Sequence, residues 1–256
     1  MRIVVDAMGS DHYPAPDIAG AVLAAREWAD EIILVGDEAR IKSELARHDT
    51  NRLKIEVVHA SQVIEMTDKP TESAKAKPDS SMHVGLGLVQ AGQADAYVSA
   101  GNTGAILAVA TLYTLRRIKG VKRPALTAIF SSPAGQVVAA DIGANADCKA
   151  EFLVQFGLMA SVYAEQAMGI KKPRVALLSN GEEEGKGNEL VKEAAPLMRE
   201  VKEINFVGNV EPKEVLSGET DVVIHDGFTG NIFIKSLEGA SSMMGRLIRQ
   251  EIKAGI

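Results

Sequence analysis

The residues that invite chemistry lie in glycine- and asparagine-rich stretches. They are DAMGSDHYP (6–14), SAGNTGA (99–105), DIGANADC (141–148), SNGEEEGKGNE (179–189), GNVEP (208–212) and DGFTGN (226–231). Glycine and asparagine adjoin at Gly101 and Asn102, Gly187 and Asn188, Gly208 and Asn209, and Gly230 and Asn231, while only Ala144 separates Gly143 from Asn145. Glycine lets a ligand approach the backbone closely. Asparagine caps helices and offers amide donors. Where such a stretch joins a strand to a helix, free N–H groups and the helix dipole favour an anion. Any one of them is also an ordinary turn. Their recurrence after predicted strands points to an anion-binding crevice.

Familiar catalytic signatures are absent. Gly85-Leu86-Gly87 and Gly185-Lys186-Gly187 both lack the third glycine of a dinucleotide fingerprint, and no Ser or Thr follows a Gly-Lys pair as a Walker loop requires. No HExxH or paired-cysteine motif supplies a metal site, so no metal is expected. The Gly-x-Ser-x-Gly elbow is missing as well.

Individual side chains in these loops admit two readings. Lys186 stands at a predicted helix start, where the dipole disfavours a cation. Ligand binding and plain solvent exposure both fit it. Glu182, Glu183 and Glu184 read as a solvated acidic face. His12 is an acid–base group or a bystander. His225, ending an apolar strand, is functional or simply buried and satisfied. Cys148 is a small packed side chain or a nucleophile.

Short β-branched runs and helical patterns position these loops. Strands are predicted over 2–6, 31–35, 54–58, 95–99, 125–130, 137–141, 174–179, 204–207 and 221–225. Several are apolar on successive residues, as strands covered on both faces are. Helices are predicted over 16–29, 38–47, 80–91, 103–116, 149–168, 188–199 and 228–253. In the helix over 149–168, Phe152, Phe156, Met159 and Tyr163 share a face, Asp147 is the expected N-cap, and Gly169 and Pro173 are stop signals. The alternation predicts an α/β, doubly wound, largely parallel sheet with ligands at the carboxyl ends of its strands. The runs 125–130 and 137–141, joined by SSPAGQ, predict an inserted antiparallel hairpin. Neither a repeat nor a linker interrupts the chain, so a single domain over 1–256 is expected.

With 46% apolar and 24% charged residues the chain has an ordinary globular composition. Its net charge of −6 gives no support to general nucleic-acid binding. One cysteine precludes an intrachain disulfide and fits a reducing compartment. No signal peptide is read at the N-terminus, and no run reaches the ~20 apolar residues of a membrane span. A cytoplasmic protein is expected.

Taken in order, DAMGSDHYP, KPDSSM (77–82), SAGNTGA, RPAL (123–126), DIGAN, EEEGKGNEL and DGFTGN resemble the phosphate acyltransferases of the PlsX type, from bacterial phospholipid synthesis. The resemblance runs from Met1 to about Gly239. It implies transfer of a long-chain acyl group from acyl carrier protein to inorganic phosphate, without metal or organic cofactor. It also implies a homodimer, peripheral contact with the inner face of the cell membrane, and a fold similar to isocitrate and isopropylmalate dehydrogenases and phosphotransacetylase. Two departures stand out. Lys75-Ala76-Lys77-Pro78 replaces a basic pair, and relatives continue for several dozen residues past this chain's end, so the resemblance implies that the family's C-terminal segment is lacking. Of its amphipathic part there remain Leu237, Met244, Leu247, Ile248 and Ile252, with Arg246, Arg249 and Lys253 nearby.

That chemistry assigns roles to the loops. Phosphate is already nucleophilic, so the protein must hold it, orient it and stabilise an oxyanion. Ser99, Asn102, Thr103 and Gly104 are expected to bind phosphate. Lys186 and Asn188 are expected to stabilise charge, and Asn231 to position the thioester carbonyl. Asp6 and Asp226 are expected to orient donors, and Asn145 joins the substrate-binding set. The alternatives are a short-chain phosphotransacetylase using coenzyme A and a non-catalytic carrier-protein or membrane scaffold. A nicotinamide-dependent decarboxylating dehydrogenase is disfavoured, since no arginine cluster awaits a dicarboxylate.

Overall fold

Runs such as RIVVD and EIILVG form the strands. The computed structural model, which describes residues 1–254, divides the elements between two compact units, Met1–Lys119 and a second from Gly120 onward.

The first unit contains β1 (Arg2–Asp6), α1 (Ala15–Trp28), β2 (Glu31–Gly36), α2 (Glu38–Leu45), β3 (Ile55–His59), α3 (Pro70–Ala76), α4 (Ser81–Gln90), β4 (Ala96–Val98) and α5 (Thr103–Ala108). Its four strands are parallel in the order β3-β2-β1-β4. Side chains alternate across a strand. Ile32 and Leu34 therefore meet Ile18, Ala21 and Val22 of α1 on one face, while Val4, Ile33 and Val35 meet Val84 and Leu88 of α4 on the other. Covering on both faces is why β1 and β2 are apolar on successive residues, Ile3–Val5 and Ile32–Val35.

The second unit contains β5 (Thr127–Ser132), β6 (Gly135–Ala140), α6 (Ala150–Met168), β7 (Arg174–Leu178), α7 (Glu189–Glu200), β8 (Asn205–Val210), β9 (Val222–Ile224) and α8 (Gly227–Ala254). The strand order is β5-β6-β9-β7-β8, with β5 and β6 antiparallel and the other pairs parallel. Leu153 and Phe156 of α6 and Val191 and Met198 of α7 cover Val175, Leu177 and Ile224. Each such fully buried side chain stabilises the fold by about 1.5–3 kcal/mol. The other face carries Val137, Ala139, Ala176, Leu178 and Val223.

The α/β alternation and the hairpin follow the sequence reading, with the strands shared between two sheets. Local details differ. The buried stripe of α6 is Leu153, Phe156, Gly157, Ala160 and Ala164, one residue round from the aromatic stripe, and Tyr163 is exposed. Small residues win because they let α6 approach α7: a Cβ on Gly157 would stand 3.3 Å from Met198 Cε. Lys149, not Asp147, occupies the N-cap position of α6, with no side-chain cap. The helix expected over 103–116 is α-helical only to Ala108. The backbone N–H and hydroxyl of Thr114 both reach the Val109 carbonyl, five residues back, at 3.0 and 3.1 Å, widening the last turn over Val109–Tyr113 into a π-helix.

Candidate functional site

In the first unit, Asp6 ends β1 and is fully buried. Its Oδ1 accepts from the Met8 N–H at 3.0 Å, and its Oδ2 accepts from the Ser99 hydroxyl at 2.8 Å and the Tyr97 hydroxyl at 3.2 Å. Burial, reinforced by the Asp6 charge, raises the Tyr97 phenol well above its ordinary value, so it remains a donor. The Ser99 oxygen also accepts from the Gly101 N–H at 3.0 Å. Asn102 caps α5 by accepting from the Ala105 N–H at 3.0 Å, while its amide donates to the carbonyls of Asp68 and Met66 at 3.0 and 3.2 Å. Lys77 braces the same 63–68 segment through Asp68 at 2.5 Å and the Val63 carbonyl at 2.7 Å. The Ser99 hydroxyl and both ends of the Asn102 amide are thus engaged within the protein. Thr103 and Gly104 are exposed.

In the second unit a buried carboxylate organises the loop after β6. Asp141 Oδ1 accepts from the N–H groups of Leu126, Gly143 and Ala144 at 3.0, 3.2 and 2.9 Å. Its Oδ2 accepts from the backbone and side-chain amides of Asn145 at 2.7 and 2.8 Å. The Asn145 side-chain amide also donates to the Pro124 carbonyl at 2.8 Å, and the Asn145 backbone carbonyl accepts from the Gly227 N–H at 2.7 Å. Asn145 therefore ties this loop to the start of α8. Asp226 caps α8, accepting from the Thr229 N–H at 2.8 Å and hydroxyl at 2.7 Å. Gly230 faces the fully buried Asp141–His225 region, where an added Cβ would lie 2.2 Å from the Asp141 carbonyl and 2.3 Å from the His225 ring. His225 Nδ1 stands 3.0 Å from that same carbonyl, an acceptor, so this nitrogen carries the proton. Its Nε2 is buried without a partner, and burial lowers its pKa.

At the carboxyl ends of β7 and β9 the second unit holds a cavity of about 510 Å³. Leu153 and Val191 line it together with Ser179, Asn180, Asn188, Asp226 and Thr229. Asn188 caps α7, accepting from the Val191 N–H at 3.0 Å. Gly187 turns the chain into this cap with φ +98°, where a side chain would collide with Val191, and its N–H donates to Asn180 at 3.0 Å. Lys186 is exposed on a neighbouring depression of about 370 Å³, with Glu182, Glu184, Lys192 and Arg199. Val191 lines both hollows. Asn188 and Asp226 thus share a cavity, with Lys186 beside it. Asn231 is exposed on α8, its amide nitrogen 3.5 Å from a Cβ built on Gly143. Burial pushes the Cys148 thiol up to about 11, so it stays protonated and a poor nucleophile near neutral pH. His12 is exposed. Among the described residues no group of three His, Cys, Asp or Glu side chains could hold a metal, and no helix is long and apolar enough to cross a membrane.

Two residues escaped the sequence reading as individuals. Asp141 was visible as an acid closing an apolar run before Gly143 and Asn145, but its role depends on long-range contacts with Leu126. Ser179 was visible as the polar end of VALLS.

Comparison with known proteins gives a consistent answer. A family model described as "Fatty acid synthesis protein" matches residues 1–256. A phosphate acyltransferase from Herpetosiphon aurantiacus is 49% identical over 255 residues, covering 99% of this chain and 69% of that protein. One from Geobacter sp. strain M21 is 46% identical over 254 residues, covering 99% and 72%. Among solved structures, the EutD phosphotransacetylase from Staphylococcus aureus superposes with a TM-score of 0.69 at 20% identity, covering 94% of this chain and 82% of that one.

Proposed function

The chain belongs to the fatty acid synthesis protein family, as a phosphate acyltransferase, and from that premise we propose that it moves a long-chain acyl group from acyl carrier protein to inorganic phosphate. A phosphate oxygen attacks the thioester carbonyl, giving a tetrahedral oxyanion. The C–S bond breaks, the acyl phosphate forms, and the phosphate proton ends on the released thiol. No enzyme nucleophile is needed, which agrees with a Cys148 thiol held protonated by burial.

The observation that best supports this reading is the cavity bordered by the beginnings of α7 and α8. Helix N-termini present unpaired N–H groups and a favourable dipole to an anion. Asn188 stabilises charge there, with Lys186 approaching from the neighbouring depression. Asn231 positions the thioester carbonyl. Asp6 and Asp226 act through the loops they hold, and Asn145 acts through the start of α8. The enzyme works as a homodimer in the cytoplasm, with weak peripheral contact to anionic membrane through the exposed Met244, Leu247, Ile248 and Ile252 of α8.

Phosphate-dependent release of free thiol from palmitoyl carrier protein tests the proposal, with acetyl coenzyme A as the competing donor. Rapid turnover of the carrier thioester and little of acetyl coenzyme A is expected. The reverse preference would make the chain a short-chain phosphotransacetylase, and turnover of neither would leave a scaffold.

A further inference from the structure

We propose that inorganic phosphate binds in the cavity of the second unit, on Ser179, Asn180, Asn188 and the start of α7, rather than on the loop before α5. The inference rests on the acyltransferase reading and names the place of one substrate within it.

The argument begins with an unpaired group. Ser179 is 8% exposed and its hydroxyl has no hydrogen-bond partner. A buried hydroxyl left unpaired has lost its water without regaining a hydrogen bond, so such a group needs an explanation. Alternation along β7 places Ser179 on the same face as Val175 and Leu177, which pack with Leu153 and Val191. Those last two also line the cavity, so the hydroxyl stands on its side of the sheet. A Cβ on Gly187 would lie 3.2 Å from that oxygen, placing it beside the entry to α7.

The neighbours supply more donors. Asn188 uses its Oδ1 to cap α7, which leaves its NH₂ group for a ligand. Asn180 likewise accepts from Gly187 through Oδ1 and offers its NH₂ group. The first N–H groups of the twelve-residue α7 have no acceptor inside the helix. Asp226 is the one carboxylate lining the cavity, and each of its oxygens accepts one hydrogen bond from Thr229, from the N–H and from the hydroxyl. Donors at the mouth of a helix, above an apolar floor, suit a tetrahedral oxyanion. On the loop before α5, by contrast, the Ser99 hydroxyl and the Asn102 amide are already engaged.

Binding of inorganic phosphate alone, followed by ³¹P line broadening on the whole chain, provides a readout independent of turnover. Asn188→Asp keeps an oxygen for the cap but sets a carboxylate where the NH₂ stood. It should leave thermal stability near the parent value and weaken phosphate at least tenfold. Ser179→Ala should raise the KM for phosphate about tenfold and leave the KM for the acyl donor unchanged. Unchanged phosphate binding in both variants would overturn the site. So would a rise in donor KM alone, which would assign the cavity to the acyl donor. Loss of phosphate binding in Thr103→Val, with none in Ser179→Ala, would return the anion to the loop before α5. A chain that binds phosphate but never transfers an acyl group would sink the acyltransferase reading while sparing the site.

Discussion

At Lys186 an ammonium group stands in a loop otherwise rich in carboxylates, with Glu182 and Glu184 on the same depression. If it stabilises the oxyanion or the incoming phosphate, Lys186→Ala should lose about two to three orders of magnitude in turnover, as loss of an oxyanion donor does. Its folding should be nearly unchanged, because an exposed loop lysine contributes little to stability. Near-normal kcat at saturating phosphate would remove the role. The flanking glycines made Lys186 conspicuous in the sequence, but not that its side chain lies beside the Asn188 cavity and not in it. Ser179 was legible only as a strand end, since an unpaired hydroxyl is a property of the packed neighbourhood. His225 was likewise ambiguous until its neighbours were known. Burial lowers its folded pKa, whereas the unfolded chain takes up the proton near the ordinary value of about 6.5. The folded state gains nothing from that proton, so stability present above pH 6.5 is lost as pH falls through the window below it. Urea midpoints should therefore drop more between pH 7.5 and 5.5 in the parent than in His225→Asn. The partly buried His83, whose pKa is also lowered, is common to both proteins and cancels. Equal drops would show that His225 is not responsible.

Among the elements, those read from strong local signals emerged nearly as expected. The β-branched run Arg2–Asp6 is β1, and the helices expected over 38–47, 80–91 and 188–199 are α2, α4 and α7; their caps Asp37, Ser80 and Asn188, not read from the sequence, each accept from a backbone N–H three residues on. Helix α3 was missed, because seven residues beginning at Pro70 show too little periodicity to separate from loop. The π turn after α5 was invisible for a different reason. Apolar spacing looks the same whether the last carbonyl is met four or five residues on. For α8 the sequence showed a glycine-rich entry, and the structure explains one of its glycines. At Gly230 the helix touches the Asp141 carbonyl and the His225 ring so closely that a methyl group cannot fit. Gly230→Ala must move α8 or displace His225, at a cost of about 1–3 kcal/mol or more. A matched Gly239→Ala, in open space farther along α8, should be neutral or slightly stabilising. Chemical denaturation of the two variants checks the contrast, and equal stabilities would mean that the α8 entry yields easily.

For the whole molecule, the sequence predicted one continuous α/β pattern over 1–256 and offered no linker at which to divide it. Strand order is a long-range property, and alternation of strands and helices is identical whether they join one sheet or two. The first unit holds its own buried clusters, around Ile18 and Leu34, around Met82 and Leu86, and around Val4 and Val35. The second holds its own around Phe156 and Leu177 and around Ala176 and Val223. Each unit falls within the size at which single domains unfold cooperatively by themselves, under about 150 residues. Core strands report the free energy of the cooperative opening that exposes them, so native-state amide exchange can read the two units separately. The Val4 and Val5 amides of β1 report on the first, and the Val175 and Leu177 amides of β7 on the second. We expect two families of opening free energies, whose denaturant dependence follows the surface each unit exposes alone. If instead both pairs of amides converge on one opening free energy with one slope, the chain unfolds as the single domain read from its sequence.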